Sequence, residues 1–465
     1  MGSTSAWLRR LCAAGIAALG VALLPGAASA TTLPADVTAT ATDSFGLTFS
    51  YHIQVPANWN GTLVLYSHGY SFTPSGPSDV GDQTTGAWLL GNGYAIAGSS
   101  YSTSGWALQQ AFVDQIQTLD IFDASFGTPA RTIAWGHSLG GMITAGLVQL
   151  FPNRFDGALP MCGVVAGGPG VWNQGLDSEF AFLTLQAPGA FKLSGFTAAD
   201  VGTNFSNATK AFNAAQATPQ GRARIALSAA LADVPGWFDP ASPEPAATDY
   251  AAQEVNQLAW DNNPDLFFGF FGRFELELRA GGNFSWNTGV DYRVQLSHSS
   301  DRAEVAALYS AAGLDLHSDL DTLNATPRIS ASPAAVNYVT NFITYNGNLG
   351  IPVLTMHTTG DGLVEVTDEN TYASVVRSAG DNSMLRQVFV HRAGHCTFTP
   401  AETITAFKTL LHRLDTGRWE DSTNPASMNG QATGLGSSFN TAPASFIDFQ
   451  PDKFLRPFDV RDVSA

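Results

Sequence analysis

The chain has 465 residues, 45% hydrophobic, 11% aromatic and 13% charged, which supports a large buried core and excludes disorder as a description of the whole. Twenty-two basic against 39 acidic residues give a net charge of −17 at pH 7, the opposite of a nucleic-acid-binding footprint. The length allows one large domain, or a domain carrying a substantial insertion.

Residues 1–30 read as a secretory signal peptide. Arg9 and Arg10 form a basic n-region, residues 11–24 are apolar, and Ala28-Ser29-Ala30 is a small-x-small cleavage site. The apolar run is shorter than the roughly 20 residues of a membrane span. The arginine pair also admits a twin-arginine reading, although its neighbours match poorly. Cleavage near Ala30 removes two arginines and no acids, for a net charge of −19. No later segment is apolar enough for stable membrane insertion. Export leaves Cys162 and Cys396 from three cysteines, which in an oxidising compartment read as one disulfide, with two buried free thiols as the alternative.

The elements alternate along the chain. Residues 45–55 alternate apolar and polar as one strand of an opening hairpin, and residues 62–66 form a short apolar run suited to a strand buried on both faces. A helix at 84–92, a strand at 94–97, a helix at 107–122 and a strand at 131–135 follow. Then come a helix at 138–150 and a strand at 156–165. This order predicts an α/β fold with a mostly parallel sheet.

From 167 to 349 the pattern changes to helices and loops, at 194–217, 219–232, 247–260, 302–312 and 332–345. Phe267, Phe268, Phe270, Phe271 and Phe274 form an aromatic cluster within it. It reads either as the insertion's own core or as the wall of an apolar site. Buried-strand runs return at 351–356 and 386–390, followed by a helix at 400–414. The division is therefore a leader at 1–30, sheet domain at 31–166 and 350–417, helical cap insertion at 167–349, and polar extension at 418–465. Phe446, Phe449, Phe454 and Phe458 are the extension's packing points onto the core.

Four positions carry chemistry. Gly136-His137-Ser138-Leu139-Gly140-Gly141 joins the strand at 131–135 to the following helix, the context a nucleophile elbow requires. Ser138 then sits at a helix N-terminus that favours developing negative charge. His68-Gly69-Tyr70 follows the early strand. Acyl transfer needs two backbone N–H groups aimed at an oxyanion, and Tyr70 and Leu139 are best placed to supply them. His68 reads as structural.

Thr359-Gly360-Asp361-Gly362 follows the strand at 351–356 and places Asp361 to orient a histidine. Glu365 and a plain Asp-Gly turn are the alternatives. His391-Arg392-Ala393-Gly394-His395-Cys396 follows the last strand. Its His395 suits a general base, while His391 at the strand end suits packing or surface.

These residues resemble the α/β-hydrolase superfamily, in the chain order serine, acid, histidine. The resemblance covers 45–166 and 350–414. It implies Ser138 as nucleophile, His395 as base, Asp361 as acid, and Tyr70 and Leu139 as oxyanion donors. The Gly-His-Ser-Leu-Gly-Gly form is similar to secreted bacterial lipases and esterases, and the insertion falls where that superfamily carries its lid. Tannase and feruloyl esterase-type enzymes tie the histidine loop to the nucleophile through cysteines adjacent to each. Here Cys396 adjoins His395, but residue 137 is histidine, so Cys162 is the candidate relocated partner.

The expectation is a secreted serine hydrolase of carboxylic esters, acting on a small-molecule or polymeric ester, with no metal or cofactor. A peptidase or amidase on the same residues is the alternative. Its acidic anchor could come from Asp233, Glu244, Asp261, Asp265, Glu275 or Glu277.

Overall fold

A computed structural model describes residues 32–456. The leader at 1–30 and Phe458 lie outside the described residues. A hairpin opens the fold, with β1 (Ala35–Thr42) antiparallel to β2 (Thr48–Val55). Then follow β3 (Thr62–Ser67), α1 (Gln83–Gly91), β4 (Ala95–Ser99), α2 (Leu108–Phe126), β5 (Arg131–His137), α3 (Leu139–Leu150) and β6 (Gly157–Met161).

Nine α-helices, with two short π-helical segments at Asp261–Asp265 and Phe268–Gly272, fill the described span between β6 and the next strand. They are α4 (Gly168–Leu185), α5 (Ala198–Gln216), α6 (Pro219–Ala230), α7 (Tyr250–Trp260), α8 (Arg273–Ala280), α9 (Tyr292–His298), α10 (Arg302–Ala312), α11 (Leu316–Ala325) and α12 (Pro333–Ile343). The sheet resumes with β7 (Val353–Gly360), α13 (Asp368–Ala379), β8 (Leu385–Ala393) and α14 (Pro400–Thr416). It closes with α15 (Pro425–Gly434) and β9 (Phe446–Ile447).

The nine strands form one sheet in the order β1-β2-β4-β3-β5-β6-β7-β8-β9. The six from β4 to β8 pair in parallel, and the pairings β1–β2, β2–β4 and β8–β9 are antiparallel. Alternation along each strand divides its side chains between two cores. Leu63, Leu65, Ala95, Ala97 and Ala134 pack with α2, α3 and α12. Val64, Tyr66, Ile96, Ile133 and Trp135 pack with α1, α14 and α15. A third cluster, including Phe180, Phe182, Phe212, Phe270, Tyr292 and Tyr309, lies wholly among the inserted helices.

Local chemistry sets several helix starts. The Asp82 carboxylate accepts from Thr85 N–H at 2.8 Å, and Thr399 with Glu402 forms a reciprocal capping box. The last segment is anchored by Trp419, Met428, Phe446 and Phe454, all buried, and Phe449 packs on Phe389.

The structure differs from the expected elements in two ways. β6 ends at Met161, not at 165, because Cys162 turns into left-handed backbone with φ 42°. Helices α4, α8, α9, α11, α13 and α15 had no counterpart in the pattern. α4 opens on Gly-Pro-Gly and α15 holds two glycines, residues that weaken any helical signal.

Candidate active site

Ser138 joins β5 to α3 with φ 58° and ψ −125°, a conformation that costs on the order of 1–3 kcal/mol in a non-glycine residue. Its neighbours explain how the turn closes. A Cβ on Gly140 would lie 1.9 Å from the Ser67 carbonyl oxygen, and one on Gly136 would lie 2.5 Å from both Ser67 O and Gly140 O. On Gly141 it would meet Gly163 Cα and Met161 O at 2.8 Å. Glycine is required at all three because β3, β6 and α3 pass at backbone contact. Ser138 N–H is tied to Met161 O at 3.0 Å. Leu139 is the first residue of α3, so its N–H has no acceptor within that helix.

The loop after β3 lies against this turn. A Cβ on Gly69 would come 3.4 Å from Ser138 Cβ and 3.9 Å from its Oγ. The His68 ring is stacked on Tyr101 at 3.9 Å and its Nδ1 lies 2.7 Å from Gly69 O. The Tyr70 ring packs edge-on against Trp106 and Phe268.

On the other side, Asp361 and His395 are brought together, with Asp361 Oδ2 2.7 Å from His395 Nδ1. Oδ1 of Asp361 accepts from Leu363 N–H and Val364 N–H, each at 3.1 Å. Burial pushes this carboxyl up, but His395 and His357 beside it prevail and hold it at about 2. Cys396, the next residue after His395, is disulfide-bonded to Cys162. Its Sγ lies 3.4 Å from His395 Nε2. The bridge that the sequence left one strand out of register is therefore present, from the end of β6 instead of the end of β5. His391 faces Glu244 at 3.1 Å and Trp237, at the edge of the insertion.

One cavity opens at Ser138, and Asp361 and His395 are not among the residues that line it. Ser138, Leu139 and Tyr70 line it with Gly362, Leu363, Val364 and Glu365 of the loop after Asp361. Its apolar wall includes Trp106, Val164, Trp172, Leu176 and Phe268. The phenylalanine cluster is thus shared. Phe268 faces the cavity and Tyr70, while Phe270 packs on Phe191 and Phe196 in the insertion's core.

Of the six acids considered as an anchor, Asp261 and Asp265 line the cavity. Glu275 and Glu277 are spent on Arg279 and Arg273, Glu244 on His391, and Asp233 on Ser299 and Ser300. Glu179 and Glu365 also line the cavity and had no signal in the sequence as site residues beyond Glu365's place near Asp361. Burial pushes Glu179 up to about 7 against the pull of Arg273, and burial with neighbouring carboxylates raises Asp261, Asp265 and Glu365. Trp106, Trp172 and Arg273 are the further lining groups that the sequence pattern missed.

A protein from Xanthobacter agilis described as o-phthalyl amidase is 32% identical over 423 residues, 82% of this chain and 88% of the relative. This chain belongs to that amidase's family. With its serine elbow and its nine-stranded, mostly parallel sheet, it is an α/β-hydrolase. No family model matches the chain. Feruloyl esterase B from Aspergillus oryzae aligns over 82% of this hydrolase and 80% of itself, at 14% identity and a TM-score of 0.40. Tannin acyl hydrolase from Aspergillus niger covers 82% and 78%, at 15% identity and a TM-score of 0.41. Among the described residues, no helix of this hydrolase is long and apolar enough to cross a membrane.

Proposed function

We propose that this hydrolase cleaves amides of aromatic carboxylic acids through an acyl-enzyme on Ser138. The observation that carries the reading is Ser138 itself, left-handed at a helix start and opening into a cavity walled by Tyr70, Trp106, Trp172 and Phe268. Family membership with o-phthalyl amidase moves the amide ahead of the ester that the pentapeptide suggests.

In this mechanism His395 takes the Ser138 proton as Oγ attacks the acyl carbon. Asp361 keeps the imidazole oriented through Nδ1 and stabilises the imidazolium. The N–H groups of Leu139 and Tyr70 receive the oxyanion. His395 then protonates the departing nitrogen, and water, deprotonated by His395, releases the acid from Ser138. His395 bonds to Asp361 through Nδ1, and its Nε2 lies 3.4 Å from the Cys396 sulfur. Its bond to Ser138 forms in the reacting complex, as catalytic contacts commonly tighten on binding.

The o-phthalyl group of the relative's name is an aromatic ring whose second carboxyl lies ortho to the acyl carbon. Arg273 supports a similar acyl group here, because it is the one cationic side chain lining the cavity among the described residues. Its Nε and Nη2 are committed to Glu277, Asn283 and Ser285, which leaves Nη1 for a substrate carboxylate. Carboxylic esters are the second reading, favoured by the Gly-His-Ser-Leu-Gly-Gly elbow, since an alcohol leaves more readily to the same acyl-enzyme. The Cys162–Cys396 bridge and the expected signal peptide support an exported protein.

The test is a matched pair, an amide and an ester of one aromatic acid, given to wild type and Ser138→Ala. Turnover of both by wild type and neither by the variant is expected. Turnover of the ester alone puts the ester reading first, and amide turnover that survives in Ser138→Ala removes the acyl-enzyme mechanism.

A further inference from the structure

His357 is fully buried on β7, four residues before Asp361. Nothing in the mechanism above uses it. Its Nε2 lies 2.8 Å from Val364 O, an atom that can only accept, so Nε2 carries a proton. The same nitrogen is 3.5 Å from Asp361 Oδ2, the oxygen that faces His395. Its Nδ1 lies 3.2 Å from Glu369 Oε1. The other oxygen of Glu369 accepts from Thr355 Oγ1 and Gln387 Nε2, two donors that suit an ionised carboxylate. Both ring nitrogens therefore face acceptors, and the neutral ring can supply only one of them.

We propose that His357 is a positioning residue: held as an imidazolium by Glu369, it fixes Asp361 as a carboxylate aimed at His395. This rests on the acyl-enzyme reading above. Asp361 Oδ1 is tied to two backbone N–H groups and Oδ2 is shared between two imidazoles, so the acid has no rotational freedom left. Charge demands the same arrangement. The loop after β7 presents Asp361 and Glu365, and α13 presents Asp368, Glu369 and the Tyr372 phenol. The insertion adds Asp265, and the histidine loop brings His395. Among those groups burial raises Asp265, Glu365 and Asp368, and Asp361 and Glu369 are the two carboxyls that meet the buried ring of His357. Burial lowers it, but the hydrogen bonds to Asp361 and Glu369 outweigh burial and push it up to about 10.

Removing the imidazolium leaves the field of Asp361 on His395 no longer partly offset, so the base keeps its proton to higher pH. Glu369→Gln removes the anion that holds the proton on His357 and acts in the same direction.

The experiment measures kcat and KM against pH for His357→Gln, Glu369→Gln and the double variant, on a substrate whose turnover depends on Ser138. Each single variant is expected to lower kcat about tenfold with KM nearly unchanged, and to move the acid limb of kcat/KM to higher pH by about one unit. The double variant moves it no further. A lowered melting temperature with the acid limb at its wild-type position overturns the proposal, and so do additive shifts. Should the variants not fold, NMR of the wild-type imidazole nitrogens at pH 8 decides. Two protonated nitrogens on His357 are expected, and a neutral ring refutes it. Turnover that persists in Ser138→Ala is a failure of the underlying mechanism and is read separately.

Discussion

Cys162 and Cys396 are bridged across 234 residues of sequence with their Cα atoms 5.4 Å apart, and both occupy left-handed backbone, at φ 42° and 57°. The bridge fastens the loop of His395 to the end of β6, the strand beside the one that delivers Ser138. Replacing both cysteines by serine is expected to destabilise the protein by about 2–5 kcal/mol and to lower kcat more than it raises KM. Thermal unfolding and steady-state kinetics of the double variant check both.

Glycines inside helices differ in what surrounds them. Gly140→Ala drives a methyl into Ser67 O and is expected to cost about 3 kcal/mol or more, enough to abolish soluble expression or activity. Gly202→Ala, inside α5 with nothing within 4 Å of the added carbon, is expected to stabilise by about 0.5–1 kcal/mol. Urea unfolding of the two variants measures the contrast.

The opening hairpin carries a pH-dependent contact. His52 Nδ1 lies 2.8 Å from Asp79 and Nε2 2.8 Å from Asp36. The hydrogen bond to Asp79 above all raises this histidine to about 9 against burial. A folded value above the unfolded one of about 6.5 means that the contribution is complete below that pH and disappears as pH rises through 9. The gap in melting temperature between wild type and His52→Gln should therefore be wider at pH 6 than at pH 10.

Arg273 gives a specificity prediction. Arg273→Met is expected to raise KM at least tenfold for ortho-carboxylated aromatic acyl substrates and to change it little for the plain benzoyl analogue. Losing its pair with Glu277 also unpairs a buried carboxylate, so the melting temperature should fall as well. An equal effect on both substrates would make Arg273 a structural residue only.

The parts of this site that the sequence made legible are those where chain geometry and chemistry coincide. Ser138 lies in a motif that forces a strand-to-helix turn, and Asp361 and His395 each follow a buried strand within a few residues, so position along the chain already implied position at one edge of the sheet. Cys162 was legible from the cysteine count, though the apolar run that carries it reads as a longer strand than β6. Trp172, Glu179 and Arg273 left no trace, because they reach the cavity through the packing of inserted helices whose pattern reports burial alone, and Trp106 reaches it from the loop between β4 and α2. Helix α13 is hidden in the sequence because its first turn, Asp-Glu-Asn-Thr, reads as a polar loop. Glu369 was hidden with it, and so was the partner of His357.

Covalent trapping tests the central claim most directly. The hydrolase is mixed with an active-site-directed fluorophosphonate, and its intact mass and labelled peptide are read by mass spectrometry, for wild type and for Ser138→Ala. One adduct per chain on Ser138, matched by complete loss of turnover and absent from the variant, is the predicted result. An adduct elsewhere, or turnover that survives in Ser138→Ala, would contradict the account.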